Sequence, residues 1–112
     1  PVRAILVRDS EKRVHLQVVK NPKVTDDEIV EYSGIANLSP GALRWIATQK
    51  KYTRRLNVRM NLILNRNTPQ DAALRLMNGL SSANLRRVML SSKAREPLQR
   101  AARKKLMQDG HI

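Results

Sequence analysis

His15, Arg59 and Arg103 stand at the same register of a sequence that repeats itself, and a row of such side chains can hold phosphate. Arg55 falls one turn before Arg59 and Arg100 one turn before Arg103, so each pair shares a helix face. With Arg13 and Lys104 nearby, stacked helices would present these groups as a ridge. Guanidinium groups in a ridge bind phosphate oxygens bidentately and track a backbone without reading bases. The plain alternative is that they form the solvated face of ordinary helices. Arg86 and Arg87, with Lys93 and Arg95, lie near the end of one helix and the start of the next, where cations also complement the helix dipole. Trp45, beside Leu43 and Ile46, can stack on a base, anchor a partner, or pack between repeats.

Other chemistry finds little material. Asp26, Asp27, Glu28 and Glu31 form the one acidic cluster, and their place in the first turn of a helix is accounted for by capping and the macrodipole. His15 and His111 lack the spacing of a zinc site, and with no cysteine in the chain there is neither a disulfide framework nor a thiolate metal site. No Gly-rich phosphate loop, nucleophile elbow or His-Glu-x-x-His sequence occurs. The expectation is a binding protein that is not an enzyme, with no cofactor and no metal. Met60, Met77, Met89 and Met107 are read as gap fillers of a helical core.

The repeat supplies the elements that must position the cations. Residues 14–21 match residues 58–65 at an offset of 44, and Leu38 to Arg44 matches Leu80 to Arg86 at an offset of 42. Such a period belongs to two- and three-helix solenoid repeats. Ser10, Thr25, Ser39, Thr53, Thr68 and Ser81 or Ser82 each precede a helical stretch as candidate N-caps, and Thr25 with Glu28 fits a capping box. Pro40, Pro69 and Pro97 suit first helical positions, while Gly34 and Gly79 suit helix ends that need positive φ. Helices are therefore expected near residues 2–8, 11–20, 26–33, 40–48, 54–64, 69–77, 82–90 and 97–108, with no strands. Val14, Val58 and Ala102, and Val18, Leu62 and Leu106, should line apolar stripes facing the next repeat; Leu43 with Ile46 and Leu85 with Val88 should form the other layer.

The junction Asn-x-x-Val/Thr-Thr/Pro at Asn21 to Thr25 and Asn65 to Pro69, followed by Leu-Ser-x-x-x-Leu-Arg, resembles the HEAT-like and leucine-rich-variant helical repeat proteins of bacteria. That resemblance implies an all-α, right-handed α-α superhelix of short helices with a period of about 42 to 44 residues. One domain over residues 1–112 would comprise a partial repeat (1–9), two repeats (10–53 and 54–96) and a second partial repeat (97–112). The unequal offsets imply a change of loop length near Tyr52. Members of such families serve as protein scaffolds, and some grip duplex DNA along a concave basic surface.

Charge then points to the ligand. Lys and Arg number 22 against 9 acids, a formal charge of +13, spread over both halves of the chain and not confined to a tail. A structured positive surface attracts nucleic acid, acidic protein or anionic lipid. The leading expectation is backbone binding of DNA or RNA. The rival is a scaffold for an acidic or helical partner segment, possibly in a longer array, with terminal helices such as Ile5 and Leu6 or Leu106 and Met107 free to self-associate. A membrane-surface role ranks last, for want of an apolar face with interfacial aromatics. The longest apolar run, Ala4 to Val7, is far too short to span a bilayer, and the absence of cysteine fits a soluble, cytoplasmic protein.

Overall fold

Caps and turns in the sequence cut the backbone into short helices. The computed structural model describes residues 12–110, with side chains from Val14 onward. The helix expected over residues 2–8, the cap at Ser10, the apolar pair Ile5 and Leu6, the side chain of Arg13, and His111 lie outside the described residues. Eight helices follow in order: α1 (Lys12–Lys20), α2 (Asp26–Ser33), α3 (Pro40–Thr48), α4 (Lys50–Thr53), α5 (Leu56–Leu64), α6 (Gln70–Leu76), α7 (Ser82–Leu90) and α8 (Glu96–Gln108). The described residues are all-α, without a strand.

The capping box forms as the sequence dictates. Glu28 N–H donates to Thr25 Oγ1 at 3.1 Å and Thr25 N–H donates to Glu28 Oε1 at 2.9 Å. Ser39 caps α3 through Ala42 N–H and Ser81 caps α7 through Asn84 N–H, each at 3.2 Å. Pro40 opens α3, and Pro97 lies in the first turn of α8 behind Glu96.

Three expectations fail for local reasons. Gly34 has φ −93°, an ordinary right-handed value, so of the two expected glycines Gly79 alone, at φ +82°, uses the left-handed region; Gly110, at φ +75°, does so after α8. Thr53 caps nothing: it ends α4, and α5 starts behind Arg55 with no side-chain cap. Thr68 is fully buried with its hydroxyl unpartnered, and Pro69 takes the N-cap position of α6.

One turn recurs three times. At Asn21, Asn65 and Ser91 the side-chain oxygen accepts from the N–H two residues on, while the backbone carbonyl accepts from the N–H three residues on. These turns join α1 to α2, α5 to α6 and α7 to α8. Tertiary contacts then set α1 against α3, α5 against α2 and α3, and α8 against α6 and α7.

The core forms two clusters that meet at α5. Val58 and Leu62 join Val18, Ile29, Leu43 and Ile46 in one, while Met60 and Ile63 join Val88, Leu98, Ala102 and Leu106 in the other. A helix buried on both flanks carries two apolar stripes, as the segment LNVRMNLIL of α5 does, with Asn57 and Asn61 between them on one side and Arg59 on the other. The expected stripes are buried accordingly, Val14 only partly. The molecule measures 47 × 24 × 18 Å.

Candidate functional site

The expected ridge does not form, because its three positions meet different surroundings. His15 is fully buried and its Nδ1 accepts from Ser39 N–H at 3.0 Å, so the ring braces the start of α3 and is closed to a ligand. Arg59 is half-buried, and its Nη2 donates to the carbonyls of Leu76, the last residue of α6, and of Asn78 just beyond it. Its guanidinium closes a corner of the fold. Arg103 alone of the three is exposed.

Around Arg103 the remaining cations of α8 form a local patch. Arg100, Arg103 and Lys104 line a shallow depression with Met107 and Gln108. Arg100 also pairs with Glu96 at 3.1 Å one turn earlier, an exposed contact of little energetic weight. Arg55 sits at the N-cap of α5, 3.8 Å from Asp27. Arg86 and Arg87 are exposed on α7, where Arg87 donates to Asn84 Oδ1 at 3.1 Å.

Trp45 is half-buried, packs against the first core cluster, and tilts 58° to Tyr52 at a ring separation of 6.4 Å. Arg95 is desolvated, which pushes its pKa down, and its Nε and Nη2 are buried without a hydrogen-bond partner. Arg44 and Asp71 form a bidentate pair at 3.0 and 2.9 Å between α3 and α6. Hydrogen bonding to Arg44 holds the Asp71 carboxyl below the usual carboxylate range, and the same contact raises Arg44.

Charge is divided unequally along the chain. Residues 1–31 carry 6 basic and 6 acidic residues, whereas residues 32–112 carry 16 basic and 3 acidic. All of the net charge therefore resides beyond α2. Between Glu31 and Asp71 there is no acid at all, and the cations in that stretch concentrate at α4: Lys50, Lys51, Arg54 and Arg55 stand within six residues. Lys50, Lys51 and Arg54 are exposed, and the Lys51 ammonium lies 5.0 Å from the Tyr52 ring centre.

The first three of these residues were not among the candidates read from sequence. The signal was present: the run Lys50-Lys51-Tyr52-Thr53-Arg54-Arg55 coincides with the change in repeat offset near Tyr52. A repeat comparison overlooks it because the matched positions of the other unit do not repeat its run of cations.

A second omission is a groove of about 350 Å³ lined by Gly34, Ala36, Leu64, Arg66, Ser92 and Lys93, with Asn61 and Asn65 in its wall. The C-terminal ends of α2, α5 and α7 converge on it. Their carbonyl dipoles make the floor negative, and Arg66 and Lys93 offset that field. It is therefore a poorer seat for an anion than its two cations suggest.

Among the described residues no cluster of three or more His, Cys, Asp or Glu is arranged to hold a metal, and no helix is long and apolar enough to cross a membrane. Compared with protein-family models, curated proteins and solved structures, the chain matches none of them.

Proposed function

We propose that this chain is a helical-repeat module, a right-handed α-α superhelix of the HEAT-like kind, that binds nucleic acid through its phosphate backbone and performs no chemistry on it. The observation that carries the reading is the charge division: 16 cations against 3 acids beyond α2, with Lys50, Lys51, Arg54, Arg103 and Lys104 exposed. A folded surface so short of carboxylates is stabilised by a polyanion that neutralises it. The recurring turn after α1 and α5, and the way α5 and α8 each pack across the two helices of the preceding unit, support the repeat assignment.

The test is fluorescence anisotropy of labelled DNA and RNA between about 50 and 200 mM salt, where a binder making several phosphate contacts loses orders of magnitude in affinity. A shallow salt slope, or no binding at the lower salt, removes nucleic acid as the ligand. A protein-binding scaffold is the second reading, and a specific observation favours it: Leu90 is 76% exposed and Met107 57% exposed. Capture of an acidic partner that is lost in a Leu90→Ser, Met107→Ser variant would support that reading instead.

A further inference from the structure

We propose that the short α4 turn, with Trp45 behind it, is a docking knob for single-stranded nucleic acid. The inference rests on the nucleic-acid reading above and narrows it to one element and one class of strand.

α4 is a separate helical turn gained without extra chain: Arg44 to Val58 spans 14 residues, and the matched Arg86 to Ala102 spans 16. The passage from α7 to α8 is a five-residue turn from Ser91 to Arg95, closed by its own hydrogen bonds. The passage from α3 to α5 instead spends residues 49–55 on an additional helical turn. Only Tyr52 of that turn is buried, at 4% exposure, and it anchors the turn in the first core cluster. The other side chains of residues 49–55 are largely cationic and point to solvent.

Packing does not account for that composition. Four like charges in six residues repel one another, and the ion pair seen at this run among the described residues is Arg55 with Asp27, at 3.8 Å and with Asp27 fully exposed. Arg55 also stands at the N-terminus of α5, the positive end of its dipole, with no acid in the first turn to offset it. Each of these electrostatic costs is relieved by a bound polyanion.

The geometry favours a flexible strand over a rigid duplex. An extended row of cations that could follow a duplex is interrupted, since His15 is buried and Arg59 is committed to carbonyls. A helix of four residues spans about 6 Å, so its cations are a compact point around which a flexible backbone can bend. The half-exposed Trp45 lies 6.4 Å from Tyr52, whose ring also carries Lys51, so an aromatic surface adjoins the phosphate-binding groups. Aromatic surface beside a basic track is what unpaired bases use and paired bases cannot.

The experiment titrates the whole chain with a labelled single-stranded oligonucleotide and with the duplex of the same length, reading anisotropy and the emission of Trp45, the single tryptophan. Lys50→Glu with Lys51→Glu is compared with Lys20→Glu with Lys23→Glu, an equal charge change at exposed sites in the neutral third of the chain. The milder Lys50→Gln with Lys51→Gln repeats the test with less strain on the fold, and circular dichroism checks that each variant is helical.

Expected are tighter binding of the single strand than of the duplex and quenching of Trp45. The α4 variant should lose about tenfold more affinity than the control, with a salt slope lower by about 1.4 for two lost contacts. Equal losses in the two variants, a preference for duplex, or unchanged Trp45 emission overturns this inference and leaves the nucleic-acid reading standing. No binding of either nucleic acid by the unaltered chain at about 50 mM salt overturns that reading as well. Tighter binding to phosphatidylserine vesicles than to either oligonucleotide overturns the choice of ligand.

Discussion

The two interhelical corners of this fold, from α2 to α3 and from α6 to α7, do the same structural job with different chemistry. At the first, neutral asparagine amides satisfy the carbonyls left over at the end of α2. Asn61 Nδ2 donates to Val30 O, Asn65 Nδ2 to Ser33 O and Ile35 O, and Asn67 Nδ2 to Ala36 O and Leu38 O, all between 2.9 and 3.0 Å. At the second, cations take over: Arg59 donates to Leu76 O and Asn78 O, and Lys105 Nζ to Asn78 Oδ1 at 2.9 Å. Part of the positive charge beyond α2 is therefore spent inside the architecture. The formal charge overstates what a ligand meets, and the exposed cations of α4 and α8 matter more than the total.

The comparison breaks most visibly at Asn65. Its amide is buried and bridges two carbonyls of the α2 to α3 corner, so Asn65→Ala leaves Ser33 O without that donor and Ile35 O with Leu38 N–H alone, as well as opening the α5 to α6 turn. Urea denaturation is expected to show a loss of about 2 to 3 kcal/mol. A loss under about 0.5 kcal/mol would mean that the corner is held by packing alone.

Arg59 tests the other corner. Arg59→Met keeps the apolar stem and removes the charge-assisted bonds, and it is expected to cost about 2 kcal/mol of stability with little change in nucleic-acid affinity. The reverse pattern, normal stability with binding lost, would return Arg59 to the ligand-facing surface.

The physical reason why some of this was legible in the sequence and some was not lies in range. Thr25 with Glu28, Ser39 and Ser81 act within three residues of themselves, and the helices they start were read to within a few residues. Buried columns such as Val58 with Leu62 and Ala102 with Leu106 follow from helical period alone. The asparagine bonds to the first corner reach about 30 residues along the chain, and an Asn in a turn ordinarily signals only the turn. Register equivalence misled at His15, Arg59 and Arg103, because equal positions along a repeat share a direction but not a neighbour. His15 meets Ser39, Arg59 meets the end of α6, and Arg103 meets solvent.

Glycine sharpens the contrast between corners at a smaller scale. Gly79 sits at φ +82°, where a side chain is strained although no atom lies within 4 Å of its added Cβ. Gly79→Ala is expected to cost about 1 kcal/mol. Gly34→Ala, at φ −93° with its nearest contact at an ordinary 3.6 Å, is expected to be neutral or slightly stabilising. Matching losses in the two variants would show that the corners share a strain the dihedral angles do not reveal.

The smallest effect concerns the link between α3 and α6. Arg44 on α3 grips Asp71 on α6 with both nitrogens, yet their side chains are 46% and 62% exposed, so solvent and salt screen most of the attraction. Because the Asp71 carboxyl is held below its ordinary range in the folded chain, it contributes stability that is present above the unfolded value of about 3.9 and fades as pH falls through the lower folded value. Asp71→Asn is therefore expected to lower the urea midpoint slightly at pH 7, and the gap to the unaltered chain should narrow as the pH falls below the ordinary carboxylate range. Raising the salt to about 1 M at pH 7 should narrow the same gap by screening. A gap that does not narrow as the pH falls would assign the effect to the lost hydrogen-bond geometry and not to the charge of Asp71.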